Sequence, residues 1–139
     1  MIKKIREVMT KEPVTMPAGA SVLDAARQMR DAAIGDVIVV NGLEICGIVT
    51  DRDLVVRAMA SERDPRSTTL ADVCSRELAT VAPDDQIGKA IELMRRKAVR
   101  RLPVVEEGRP IGILSMGDLA LERDRESALA AVSSAPPNR

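Results

Sequence analysis

The chain has 139 residues, 45% of them hydrophobic and 30% charged, which is enough apolar material for a packed core and too much for extended disorder. Its 21 basic and 21 acidic residues cancel to zero net charge, which excludes a global field that would draw it to a polyanion or an anionic membrane. Phe, Tyr and Trp are all absent, so the core must be built from Val, Ile, Leu, Met and Ala, and no aromatic face can stack a nucleic-acid base.

The N-terminal MIKKIREVM has no apolar run of signal-peptide length, and no stretch of about 18 apolar residues occurs, so the chain reads as cytoplasmic with no membrane partner. A short opening helix, IKKIREVM, precedes a β-prone segment, Val14-Thr15-Met16, which runs into Pro17. Val22, Ala25, Ala26 and Met29 then recur at helical spacing, with Ser21 placed as an N-cap. Two strands follow, DVIVV and EICGIVT, joined by a turn at Asn41-Gly42, where both positions tolerate positive φ. A second helix is predicted from about Asp51 to Ala60, and SERDPRSTT, residues 61–69, reads as a polar linker.

The same order of signals then returns. LADVCS is a short helix, Ala79-Thr80-Val81 a β-prone segment, and Ile87, Ala90, Ile91 and Met94 mark a helix capped by Asp84 or Asp85. The strands RLPVVEE and PIGILS are joined at Glu107-Gly108, and a last helix starts near Met116 and runs into the late 120s. SSAPPNR at the end reads as a disordered tail.

Residues 8–54 superimpose without a gap on residues 73–119, a shift of 65. Thr15 meets Thr80, Ala25 meets Ala90, Met29 meets Met94, Gly47-Ile48 meets Gly112-Ile113, and Asp53-Leu54 meets Asp118-Leu119. The chain is therefore a duplication of a β-α-β-β-α unit of class α+β, and one unit alone offers too little core to stand by itself. The expected layout is a first module at 1–60, a linker at 61–69, a second module at 70–130 and a tail at 131–139, with each short opening helix completing its own module.

The chemistry concentrates where each second strand ends. In GIVTDRD and GILSMGD a hydroxyl, Thr50 or Ser115, ends the strand, and a carboxylate, Asp53 or Asp118, follows three residues later in the first helical turn. Unpaired backbone N–H groups at a helix start suit phosphate, and a carboxylate can accept both hydroxyls of a ribose diol. The plainer reading is that each pair is only an N-cap and a capping-box variant. No His, Tyr or phosphate-cradling glycine loop is present, and no Ser or Cys lies beside a recognisable base, so the chain reads as a binding protein and not as an enzyme.

VMTKEPVTM, RRLPVV and the duplicated GIVTDRD and GILSMGD together resemble the CBS domain family, whose members occur as tandem pairs called Bateman modules. VTDRDLVVRAMASERDPRSTT is further similar to short stand-alone CBS pairs linked to hypoxic or stress responses. The resemblance implies a pseudo-two-fold pair of modules, a homodimer formed through helical faces, and an adenosyl ligand in the cleft between modules. That ligand would be AMP, ADP, ATP, NAD or S-adenosylmethionine, acting as a regulatory ligand and not a catalytic cofactor. It implies a base held at Thr15, Met16 and Pro17 with Asp36, Val37 and Ile38 in the first copy, and at Thr80, Val81 and Ala82 with Arg101, Leu102 and Pro103 in the second. Pro103 makes the second pattern the fuller one, because Ile38 stands in its place in the first.

Within the basic run RRKAVRR, the charges suit a helix C-terminus; the resemblance further implies that Arg100 and Arg101 lie beside the cleft and meet ligand phosphates, with Arg52 contributing similarly from the first copy. The competing readings are a ligand-free dimeric scaffold or stress-response protein acting through an unidentified protein partner, and nucleic-acid binding through the basic run. Cys46 and Cys74 are read as reduced packing residues, with Cys74 the one open to exposure.

Overall fold

A computed structural model describes residues 3–75 and 78–123. The expected tail at 131–139 and the end of the closing helix lie outside the described residues. In chain order the elements are β1 (Thr10–Lys11), β2 (Thr15–Pro17), α1 (Val22–Ala32), β3 (Asp36–Asn41), β4 (Glu44–Thr50), α2 (Asp51–Asp53), α3 (Leu70–Val73), α4 (Ile87–Lys97), β5 (Arg101–Glu106), β6 (Arg109–Ser115) and α5 (Met116–Arg123). A 3-10 turn at Ile5–Glu7 precedes them, and α2 continues as a π-helical stretch, Leu54–Met59.

The chain divides into two compact units of mixed helix and strand, but their limits do not follow sequence order. Residues 3–13 belong with residues 79–123, and residues 14–75 form the other unit with Leu78. Each opening helix thus completes the other copy rather than its own. Ile5 and Arg6 donate backbone N–H bonds to the carbonyls of Asp85 and Pro83, as Leu70 and Ala71 do to those of Ala20 and Ala18. These two pairs of bonds are related by the same 65-residue shift as the sequence. Ile5 and Leu70 are fully buried, and burying such a side chain is worth about 2 kcal/mol. The exposed ion pairs of Arg6 with Asp84 and Glu106, at 3.0 and 3.2 Å, add less.

The stretch expected as a linker is also engaged. The carbonyls of Pro65 and Thr68 accept the N–H groups of Leu23 and Val22 at the start of α1, and Thr68 is buried.

In the unit built on residues 14–75, β2 runs parallel to β3, and β3 pairs antiparallel with β4. α1 lays Val22, Ala25 and Met29 on Val37, Val39 and Val49, and Leu70, Val73 and Cys74 close the core. In the other unit the sheet order is β1-β6-β5, with Ala90 and Met94 of α4 on Leu102, Val104 and Leu114, and Ile5 among them. The segment Ala79-Thr80-Val81 forms only a single parallel bridge, Val81 with Val104. Cys74 is buried, as a packing residue would be, and Cys46 is half-buried.

Ser21 caps α1, accepting the Asp24 N–H at 3.0 Å. Neither Asp84 nor Asp85 caps α4, whose N-cap is Gln86 without a side-chain bond. Asp85 instead accepts the Ala82 N–H at 2.8 Å and closes the turn before the helix. The first hairpin turn lies one residue later than expected: Asn41 ends β3, and the loop pair is Gly42-Leu43, with Gly42 at φ 64. In the second hairpin both Glu107 and Gly108 have positive φ.

Both long helices end on an alanine in the left-handed region, Ala33 at φ 55 and Ala98 at φ 54. A Cβ there costs roughly 1–2 kcal/mol, partly offset by the entropy that glycine loses on folding. Ala33→Gly and Ala98→Gly are each expected to stabilise the protein by about 0.5 kcal/mol, read as a higher urea midpoint. An unchanged or lower midpoint would refute that assignment of strain.

Candidate functional site

Each site is built where a hairpin hands the chain to a helix. β3 starts at Asp36, directly across from Thr50 at the end of β4, and β5 starts at Arg101, directly across from Ser115 at the end of β6. The hairpins therefore place one charged residue and one hydroxyl side by side at the sheet end, with opposite charges in the two copies.

In the first copy Thr50 and Asp53 form a closed box. Asp53 Oδ2 accepts the Thr50 N–H at 2.9 Å and the Thr50 hydroxyl at 3.1 Å, and the Asp53 N–H donates to Thr50 Oγ1 at 3.2 Å. The other oxygen, Oδ1, lies 3.6 Å from Arg57 Nε. Arg57 also donates through Nη1 to the carbonyls of Val73 and Cys74 at 3.4 Å. Arg57 was not foreseen from the sequence, although its spacing of four from Asp53 is the ordinary signal for a helical ion pair.

In the second copy Asp118 Oδ2 accepts the Ser115 N–H at 2.9 Å, and the Asp118 N–H donates to Ser115 Oγ at 3.1 Å. Among the described residues no cation pairs with Asp118. Glu122 stands at the place of Arg57 and pairs with Lys3 at 2.5 Å. Burial pushes the Asp118 carboxyl above the usual carboxylate range, and its bonds with Ser115 offset only part of that.

The other expected contacts are placed unevenly. Val37 and Leu102 point into the two cores, so only their backbones are open to other roles. Ile38 is fully buried, and its N–H donates to the Val14 carbonyl; Pro103 is buried, and its carbonyl accepts the Val81 N–H. At these two positions, where the resemblance places a base, the Ile38 N–H and the Pro103 carbonyl are therefore already engaged. Thr15 and Thr80 are exposed, and Ala82 is exposed with its N–H held by Asp85. Met16 is half-buried and Pro17 exposed.

Arg100 is exposed, and its carbonyl accepts the Met116 N–H at 3.0 Å, which sets it beside Ser115. Its counterpart Gly35 accepts from Asp51 in the same way, and a Cβ on Gly35 would stand 3.2 Å from Asp51 Oδ2. The exposed Arg52 donates its N–H to Asp51 Oδ1 at 2.8 Å. Arg95, Arg96 and Lys97 are exposed in the last turn of α4, where cations favour the negative helix end. Among the described residues no group of three or more His, Cys, Asp or Glu is placed to hold a metal ion, and no helix is long and apolar enough to cross a membrane.

The CBS domain family matches this chain twice, over residues 5–59 and 70–124. The chain belongs to the CBS domain family and is a tandem CBS pair, a regulatory class of module. It is similar to the CBS domain-containing protein YhcV of Bacillus subtilis, 32% identical over 133 residues that cover 95% of this chain and 94% of YhcV. Protein MK0525 of Methanopyrus kandleri is 34% identical over 117 residues, and the match covers 83% of this chain but only 60% of that longer protein. Hypoxic response protein 1 of Mycobacterium tuberculosis is 29% identical over 122 residues, 83% of this chain and 81% of that one. Among solved structures, the CBS domain pair of protein MJ0100, in complex with 5′-methylthioadenosine and S-adenosyl-L-methionine, shares the fold at a TM-score of 0.81 and 21% identity. That likeness covers 91% of this chain and 100% of the MJ0100 pair.

Proposed function

We propose that this CBS pair is a sensor that binds an adenosyl ligand, either AMP, ADP, ATP, NAD or S-adenosylmethionine, and regulates a partner protein without catalysing a reaction. The observation that carries the reading is Asp118: a half-buried carboxylate with one oxygen held by Ser115 and, among the described residues, no cation beside it. Such a group gains from two donors at ribose-diol spacing, because hydrogen bonds to a charged acceptor are roughly twice as strong as neutral ones. Ser115, the exposed Arg100 and the half-buried Arg101 lie at the same strand end, where a phosphate or other polar tail would sit. The ligand would favour one arrangement of the pair over another by no more than its differential affinity for the two.

The exposed apolar residues Val55, Val56 and Met59 on one helical stretch support a homodimer as part of this reading. A ligand-free scaffold is the second reading, and it is favoured by one observation. In both boxes, Thr50 with Asp53 and Ser115 with Asp118, the strand-end and helix-start groups satisfy one another, as a purely structural helix start requires.

The test uses the missing aromatics. With no Trp, Tyr or Phe, the protein itself is nearly transparent where adenine absorbs. An adenine-shaped band in the purified protein, released into the filtrate on denaturation, is the expected result, together with a solution mass of two chains. A blank spectrum with no thermal shift from any of the five ligands would sink the sensor reading in favour of the scaffold.

A further inference from the structure

The two copies of the box differ in what holds the second carboxylate oxygen. In the first module Asp53 Oδ1 faces Arg57, and Arg57 is itself fixed by the carbonyls of Val73 and Cys74. Its guanidinium therefore cannot swing away from Asp53 without giving up two further bonds. In the second module Asp118 has no such partner among the described residues, and the equivalent residue is the acidic Glu122, paired with Lys3. A diol that binds Asp53 must share or displace a guanidinium, whereas one that binds Asp118 finds a carboxylate whose charge burial has left poorly compensated.

We propose that the two modules are unequal binding sites, and that Arg57, by occupying the second oxygen of Asp53, directs the first ligand to Asp118. The proposal rests on the adenosyl reading above and goes beyond it in ranking the sites and naming the residue that ranks them. Arg57 is here a residue that sets occupancy through Asp53. An exposed ion pair alone is worth at most a fewfold in affinity, but with the two carbonyl bonds and the uncompensated charge on Asp118 the expected difference between sites is roughly tenfold.

The experiment is equilibrium dialysis of the full chain with AMP and, separately, with S-adenosylmethionine, which share the ribose diol. The unaltered protein should show one tight site per chain and a second about tenfold weaker, and Arg57→Gln should bring the two together. As a measurement that needs no substitution, raising the salt concentration should narrow the gap in the unaltered protein, because salt screens the half-exposed Arg57 pair more than the partly buried Asp118. Two equal sites, or a gap that survives both Arg57→Gln and salt, would overturn the ranking while leaving the adenosyl reading intact. Absence of saturable binding of either probe would overturn both.

Discussion

Gly47→Ala is expected to cost about 3 kcal/mol of stability, the largest single-residue effect in the molecule outside the deep core. A Cβ on Gly47 would stand 2.1 Å from the Ser75 carbonyl oxygen, with the next contact, the Ser75 carbonyl carbon, at 3.2 Å. Backbone cannot rotate aside as a side-chain tip can. The bridge between Ile48 and Ser75, in which the Ser75 N–H donates to the Ile48 carbonyl at 3.2 Å, must open, and α3 is then drawn away from Val49 and Leu54. The duplicated position makes an internal control. At Gly112 the nearest atom is Met9 Sδ at 2.6 Å, the end of a flexible side chain, and the Thr10 carbonyl oxygen is at 2.9 Å. Gly112→Ala should therefore destabilise by less, about 1–2 kcal/mol. Urea unfolding followed by circular dichroism checks both, and equal losses at the two positions would contradict the contact argument.

Asp118→Asn should weaken AMP about 100-fold at the second-module site, leaving only the weaker Asp53 site to bind, while stability near neutral pH stays almost unchanged. Two hydrogen bonds to a charged acceptor are worth roughly 1.5–3 kcal/mol each, and the amide replaces a two-way acceptor by one acceptor and one donor. The small cost in stability follows from the direction of the pKa. The folded-state value of Asp118 lies above its ordinary 3.8, so the folded protein holds the proton more tightly than the unfolded chain. That contribution to stability is fully present below the ordinary value and is lost as pH rises through the raised one. At neutral pH the ionised carboxylate is thus a mild burden, which Asn removes. Ligand affinity runs the other way: a diol needs the ionised form, so binding should weaken as pH falls through the raised folded-state pKa. Calorimetric titration with AMP across that pKa checks this, and a flat profile would remove Asp118 from the site.

The site was partly legible before any coordinates. The pairs Thr50 with Asp53 and Ser115 with Asp118 are local, three residues apart, and a strand that ends where a helix begins forces such residues into contact. That the two boxes close on themselves is likewise local. What separates them is not, because Arg57 takes part of its fixation from Val73 and Cys74, and Lys3 reaches Glu122 from the far end of the chain. Nor is the engagement of the Ile38 N–H by Val14 and of the Pro103 carbonyl by Val81, which needs a neighbouring segment laid alongside. The continuation of α2 as a π-helical stretch left no mark in apolar spacing, since Leu54 and Ala58 are buried four apart as they would be in an α-helix.

By itself the sequence determined the duplication, the α+β class, the membership of the CBS family and most of the apolar face of each long helix. These depend on repetition and on periodicity, which record whether a residue is buried. Periodicity does not record against what it is buried. Only the tertiary structure decided that Ile5 completes the core of the second copy and Leu70 that of the first, because either helix presents one large aliphatic side chain and would fit either core by composition. The same limit applies to Gly47 and to Asp118. The close approach of Ser75 and the burial of the Asp118 carboxylate, with no cation beside it among the described residues, are properties of neighbours brought together by folding, and no spacing within the chain encodes them.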